Sequence, residues 1–247
     1  MLIFVLNAGS SSLKYQLIDI KSKELKASGL VERIGIDGIL KHEIGENKKL
    51  TFELPIPTHK EAIELVLRIL TNNETKVINS IDEIKAIGHR VVHGGEYFKG
   101  SAIVDDEVIR KIEELIPLAP LHNPANILGV KICKDLMPKV PNVVTFDTAF
   151  HQTMPMENFL YAVPYADYTE HHLRKYGFHG TSHYYVSQEA IKLLNKKDSK
   201  VIVCHLGNGS SVCAVKDGKS ISTSMGLTPL EGLVMGTRSG DIDAGVI

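Results

Sequence analysis

The sequence has no tryptophan, only three cysteines and almost no net charge. Each scarcity excludes something. Lys and Arg number 28 against 29 Asp and Glu, a formal charge of −1 at pH 7. There is no basic excess to neutralise a nucleic-acid backbone, and no charged tail. Cys133, Cys204 and Cys213 are odd in number and sit among apolar residues, which fits reduced thiols in a cytoplasmic protein. No apolar run approaches the ~18 residues of a membrane span. Met1-Leu-Ile-Phe-Val-Leu6 has no basic leader and no cleavage pattern, so it reads as a strand and not a signal peptide. Two common phosphate-binding signatures are missing, Gly-x-x-x-x-Gly-Lys-Ser/Thr and the helix-opening Gly-x-Gly-x-x-Gly. The Gly-x-Ser-x-Gly nucleophile elbow is missing too.

What remains is a chain of 247 residues, 43% hydrophobic and 23% charged, the composition of a soluble globular protein. The length fits one large domain or two smaller ones. Leu2 to Leu6 is a continuous apolar run, the signature of a buried strand. Asn7-Ala-Gly-Ser-Ser-Ser12 is a turn cluster. Leu13 to Asp19 reads as a second strand and Lys26 to Arg33 as a third, an antiparallel meander. Helices follow. Thr58 and Glu61 have the spacing of a capping box, with Ile63, Val66, Leu67 and Leu70 as the apolar stripe behind it. Asp105 or Asp106 caps a second helix, and Asn123-Pro124 reads as an N-cap with proline at the first helical position. Apolar runs at 84–92 and 143–147 read as strands between these helices. This is a mixed α/β domain over 1–150. The proline-bearing stretch after Met154 leads into a second domain over 151–247, with a helix over 182–194 and a strand over 200–205.

Gly9-Ser-Ser11 and Gly209-Ser-Ser211 each follow an apolar strand and precede another. The shared strand–turn–strand context points to duplicated domains with equivalent loops. Such turns expose several backbone N–H groups in one direction and make anion sites, and Lys14 and the serine hydroxyls add donors to the first. Two such loops point to a nucleotide whose phosphates lie between two domains. Each loop alone reads better as an ordinary hairpin turn.

The eleven histidines include two i, i+4 pairs, His89/His93 and His179/His183. That spacing suits zinc on a helix, but neither pair has a completing carboxylate, and structural roles are the default. His122 precedes a helix start, where an anion is favoured; a capped loop is the alternative. Asp147 ends an apolar strand, where ligands bind in open α/β sheets; a solvated strand end is the alternative. Arg90 sits in an apolar stretch and needs a carboxylate or phosphate partner, from the protein or from a ligand. Arg238 lies in a glycine-flanked loop, Gly236-Thr-Arg-Ser-Gly240. From there it either swings toward a phosphoryl group or stays on the surface.

Seven ordered runs together resemble the acetate kinase family. They are Asn7-Ala-Gly-Ser-Ser-Ser-Leu-Lys14, His89-Arg-Val-Val-His-Gly-Gly95, Pro120-Leu-His-Asn-Pro124, Phe146-Asp-Thr-Ala-Phe-His151, Tyr176-Gly-Phe-His-Gly-Thr-Ser-His183, His205-Leu-Gly-Asn-Gly-Ser-Ser211, and Thr228-Pro-Leu-Glu-Gly232 through Gly240. The resemblance implies a duplicated actin/Hsp70-like ATPase-type fold of ribonuclease H-like α/β domains, with phosphate loops at 7–14 and 205–211. It also implies that the family continues well past Asp241, so the second domain reads as truncated and the 247-residue chain alone is expected to show little kinase activity.

The implied reaction is reversible phosphorylation of acetate by ATP to acetyl phosphate and ADP, with Mg²⁺, in a cytoplasmic homodimer. A propionate or butyrate kinase of the same family is one alternative. A superfamily nucleotide switch that hydrolyses ATP without a small acceptor is another. No nucleic-acid or membrane partner is implied. By resemblance, Arg90 holds acetate, and Arg238 and His179 stabilise the phosphoryl group in flight. His122 lines the pocket, with Val92, Leu121 and Pro229 around the acetate methyl and Phe178 as a further substrate-binding residue. Asp147 matches the family's acid/base aspartate, although an ionised acetate needs no general base, so orientation of Arg90 or substrate suits it better. Asn7 reaches Mg²⁺. Lys14, Ser10, Ser12 and the loop His205, Leu206, Gly207, Asn208 and Gly209 take the nucleotide phosphates.

Overall fold

A computed structural model describes residues 1–45, 48–196 and 198–246. Ile247, the last residue of the chain, lies outside the described residues. The chain divides into two units. The first comprises Met1–Val91, Ala102–Ile116 and Pro120–Thr145; the second comprises Val92–Ser101, Pro117–Ala119 and Phe146–Ile247. The boundary drawn at 150 in the sequence thus falls at Phe146, and the chain enters the second unit twice before that point.

The first unit is built on an eight-stranded sheet. Its strands are β1 (Leu2–Ala8), β2 (Leu13–Asp19), β3 (Glu24–Glu32), β4 (Ile39–Ile44), β5 (Lys48–Glu53), β6 (Ile84–Val91), β7 (Ala102–Ile103) and β8 (Asn142–Phe146). Their order is β5-β4-β3-β2-β1-β6-β8-β7. Strands β1 to β5 form an antiparallel meander and β6 lies parallel to β1. Alternation sets the faces. Phe4, Leu6 and Ala8 of β1 join Leu13, Tyr15 and Leu17 of β2 in the core, with Ile63, Val66 and Leu70 from α1 (His59–Thr71) and Cys133 from α3 (Asn123–Leu136). Helix α3 packs on β1, β6, α1 and α2 (Asp106–Glu114).

Local chemistry explains the helix starts, with two corrections. Thr58 caps α1 by accepting from Lys60 N at 3.1 Å, while its hydroxyl donates to Glu61; the reciprocal capping box does not form. That motif occurs instead at Ser80/Glu83, ahead of β6. Asp105 caps α2 through Val108 N at 2.7 Å. The cap of α3 is His122, one residue earlier than Asn123-Pro124 implies, and its side chain makes no capping hydrogen bond.

The second unit holds a three-stranded antiparallel sheet of β9 (Lys200–His205), β10 (Ser211–Lys216) and β11 (Lys219–Thr223), in the order β11-β10-β9. Helices α4 (Met156–Phe159), α5 (Tyr165–His171) and α6 (Gly180–Leu194) accompany it, and α6 packs on β9. The segment Val92–Ser101 is bound into this unit. Gly94 N donates to Thr148 Oγ1 at 3.0 Å, and Phe98 stacks on Phe146 with ring centroids 4.1 Å apart. A Cβ at residue 94 would lie 2.7 Å from the Phe146 ring, so glycine is required there. No described helix is long and apolar enough to cross a membrane. Cys133 and Cys213 are buried thiols, whereas Cys204 is exposed, against the apolar setting the sequence gives it.

Candidate active site

Both Gly-Ser-Ser segments turn between antiparallel strands. In the first unit Ala8 pairs with Leu13, so residues 9–12 make the turn. In the second, His205 pairs with Ser211, so the turn is 206–210, one residue longer. The first turn is closed by Gly9 N donating to Ser12 O at 2.8 Å. It is braced from outside: His59 Nε2 lies 2.7 Å from Gly9 O, and Asn126 Nδ2 donates to Ala8 O at 2.7 Å. Sequence reading passed over both braces, because a contact across 50 or 118 residues leaves no local pattern. Ser10 is exposed and Ser12 half-buried on this turn.

Asn7 and Lys14 face each other across β1 and β2. They line a groove of about 470 Å³ on the sheet face away from the core, together with Gln16, Lys41, Glu43 and Arg90. Arg90 Nη1 donates to Asn7 Oδ1 at 3.5 Å. His122 is exposed at the start of α3, and Leu121 is 78% exposed. His89 is instead buried against Asn142, with Nε2 2.7 Å from Oδ1, and burial lowers its pKa to about 4 despite that hydrogen bond.

The second unit gathers most of the remaining residues. His179 is the N-cap of α6 in the left-handed conformation, φ 58°. Gly180 N donates to the carbonyl of Asp147 at 2.8 Å, and a Cβ at 180 would lie 2.2 Å from that oxygen. Asp147 is therefore a buried residue at the foot of the helix, 2% exposed, and not a solvated strand end. His179 stacks on His205, with ring centroids 4.1 Å apart. His205 Nδ1 lies 2.9 Å from Ser182 Oγ.

Arg238 reaches the same loop. Its Nη1 donates to Pro229 O at 2.7 Å, and Gly236 N donates to Asn208 O at 3.2 Å, tying 228–238 to 206–210. A Cβ at Gly209 would lie 2.8 Å from Arg238 Nη2 and 3.4 Å from His179 Nε2. Two side-chain nitrogens thus converge on bare backbone, the arrangement an oxyanion requires. Within the loop, Gly207 N donates to Ser210 Oγ at 3.3 Å, and Leu206 is exposed. Val92, Phe178, Met225 and Met235 form a small buried apolar cluster. Val92 and Phe178 share this cluster, whereas the exposed Leu121 belongs to the other unit.

No described group of three or more His, Cys, Asp or Glu residues could hold a metal ion. Asn7, the expected ligand, has its amide oxygen turned to the Arg90 guanidinium. These residues do not fit a protein cage for Mg²⁺.

The two units, each with a strand–turn–strand hairpin, make a mixed α/β protein. The chain belongs to the acetokinase family, whose model matches residues 2–247. An acetate kinase from Caldanaerobacter subterraneus subsp. tengcongensis is 56% identical over 250 aligned residues, covering all of this chain and 62% of that protein. The solved acetate kinase of Porphyromonas gingivalis is 47% identical with a TM-score of 0.95, covering 99% of this chain and 62% of that one. A solved propionate kinase from Francisella tularensis subsp. tularensis is 48% identical with a TM-score of 0.92, covering 99% of this chain and 62% of that one. The chain spans about 62% of the length of these relatives.

Proposed function

We propose that the whole protein transfers the γ-phosphoryl group of ATP to acetate, reversibly, giving acetyl phosphate and ADP. The observation that carries this reading is the convergence of Arg238 Nη2 and His179 Nε2 on Gly209. Acetate is already an anion near pH 7, so no general base is required. The difficulty is bringing one anion to another, and positive charge with oriented N–H groups must overcome it. Arg238 and His179 are read as the donors to the phosphoryl oxygens. The turn 206–210 and, in the other unit, Lys14 with Ser10 and Ser12 are read as holding the nucleotide phosphates.

Arg90 is read as the acetate clamp, with its guanidinium steered by Asn7, and His122 as lining that pocket. Val92, Phe178 and Pro229 are read as taking the methyl group. Asp147 acts by orientation, since its backbone seats the start of α6 and hence His179. Mg²⁺ bound with ATP would offset charge on the phosphate oxygens, and Asn7 would reach it only through water. A cytoplasmic homodimer belongs to the same reading.

Trapping acetyl phosphate with hydroxylamine in the presence of ATP and acetate tests the proposal. Acetohydroxamate is expected. ATP hydrolysis that is independent of acetate and yields no hydroxamate would mark a nucleotide switch instead. The likeness to a solved protein named a propionate kinase supports a second reading, with propionate as acceptor. One methylene in an apolar pocket is worth only ~1–3 kcal/mol, so both acids should react, acetate with the higher kcat/KM. The opposite order would favour the propionate reading.

A further inference from the structure

The i, i+4 pair His179/His183 is not a metal motif here; both rings meet one hydroxyl. His179 Nδ1 lies 2.8 Å from Ser211 Oγ, and His183 Nε2 lies 2.7 Å from the same atom. Ser211 and His183 are fully buried. A hydroxyl has one proton to give and two lone pairs, so the two contacts are not independent. Their directions follow from His183. Burial holds its pKa near 3, helped by the neighbouring histidines, so the ring is neutral and carries a single proton at pH 7. His183 Nδ1 has no hydrogen-bond partner among the described residues. A buried N–H without an acceptor costs more than a bare lone pair, which puts the proton on Nε2. That N–H donates to Ser211 Oγ. Ser211 Oγ has no further hydrogen-bond partner among the described residues, so its own proton goes to His179 Nδ1; in a neutral His179 the single ring proton then sits on Nε2. This is the nitrogen that faces Gly209 beside Arg238.

We propose that Ser211 and His183 are positioning residues that hold the neutral form of His179 as its Nε2–H tautomer, so that the ring presents a hydrogen-bond donor to the phosphoryl group. The proposal rests on the phosphoryl role of His179 argued above. Reversing the chain of donors would move the His183 proton to Nδ1, where no acceptor waits. Neither positioning residue touches substrate; both act through the ring of His179.

The test uses the whole protein labelled with ¹⁵N-histidine. Long-range ¹H–¹⁵N spectra separate protonated from bare ring nitrogens, and the His179 signals are assigned by their loss in His179→Gln. The expected state is a bare Nδ1 and a protonated Nε2. Ser211→Ala should give a mixture of tautomers and a kcat lowered about 10–100-fold, the usual range for partners that orient a functional ring, with KM for acetate unchanged. His183→Gln keeps an N–H donor at the Nε2 position and should keep both tautomer and kcat. A protonated Nδ1 in the unaltered protein, or an unchanged tautomer in Ser211→Ala, would overturn the proposal. The first of these needs no variant to fold. If His179→Gln turns over at the wild-type rate, the phosphoryl role itself fails, whichever tautomer the spectrum shows.

Discussion

Arg238 donates from Nη1 to the carbonyl of Pro229 at 2.7 Å, and this contact folds the 228–238 loop so that Nη2 is left facing Gly209. One end of the guanidinium is spent on holding its own loop and the other is presented. A planar fork with several fixed donors suits that division, and a lysine cannot do both.

The pairing predicts that two variants lose turnover for different reasons. Arg238→Lys should keep the charge but lose the anchor, lowering kcat about 10²–10³-fold, the size of one lost oxyanion donor. Gly209→Ala should put a methyl where Arg238 Nη2 and His179 Nε2 converge. The guanidinium is the mobile end of a long side chain and can move aside, so the fold should lose no more than ~0.5–1 kcal/mol. Turnover should nonetheless collapse, because the space for an oxyanion is filled. Steady-state kinetics beside thermal melts read both, and wild-type kcat in Gly209→Ala would remove the site from 209.

The two hairpins were legible because their signal is local: an apolar run, then Gly-Ser-Ser, then another strand. Strands β4 and β5 were less legible: Leu40, His42 and Ile44 do alternate with Lys41 and Glu43, but a buried histidine at 42 and the two lysines that open β5 hide the apolar period. Capping was readable to within a residue, but the choice between Thr58 and Ser80 as the reciprocal box depends on rotamers that spacing does not fix. Long-range pairing was the least readable. Nothing in Val92–Ser101 announces that Glu96 meets Arg174, 78 residues later. The His179/His183 spacing raised a zinc motif and held no sign of the Ser211 hydroxyl that both rings contact.

Arg90 predicts a different kinetic signature. Its Nη1 contact with Asn7 is long, 3.5 Å. Arg90→Ala should raise KM for acetate at least tenfold, about 1.4 kcal/mol of lost carboxylate binding, while KM for ATP moves much less. Asn7→Ala should show a weaker form of the same change. Isothermal titration of acetate into each variant checks this, and unaltered acetate affinity in Arg90→Ala would contradict the clamp.

Buried neutral histidines predict a loss of stability in mild acid. Burial lowers the pKa of His89 to about 4, whereas an unfolded histidine titrates near 6.5. Between those values the unfolded chain binds a proton that the folded one refuses, so stability falls as pH drops from about 6.5 to 4 and levels off below. For His89 the gap corresponds to about 3 kcal/mol. His93 and His151, also near 4 through burial, add in the same direction and window. His89→Gln should keep a hydrogen bond to Asn142 and flatten the curve. Melting temperatures over pH 4–7 measure this, and parallel curves for the two proteins would refute it.

Glu96 acts in a lower window. Burial works against its ionisation, but hydrogen bonds from Arg174 and His172 outweigh that and hold the carboxyl below its ordinary range. A carboxylate lowered in the folded state contributes stability above its unfolded pKa, near 4.3, and loses it as pH falls through the lower folded value. Arg174 is buried, donates to Glu96 Oε1 at 2.7 Å and lies 3.6 Å above the centre of the Phe159 ring. Removing its partner leaves a buried cation. Glu96→Ala should therefore cost about 2–3 kcal/mol at pH 7, less than the ~3–5 of a fully buried pair because water reaches the carboxylate. Below pH 4 the variant and the unaltered protein should converge. Arg174→Met, which keeps volume against Phe159 and leaves the half-exposed Glu96 free to hydrate, should cost less than Glu96→Ala. Denaturant melts of the three proteins at pH 7 and pH 3.5 test the ordering, and a larger loss in Arg174→Met would mean that the guanidinium contributes through stacking on Phe159 more than through its charge.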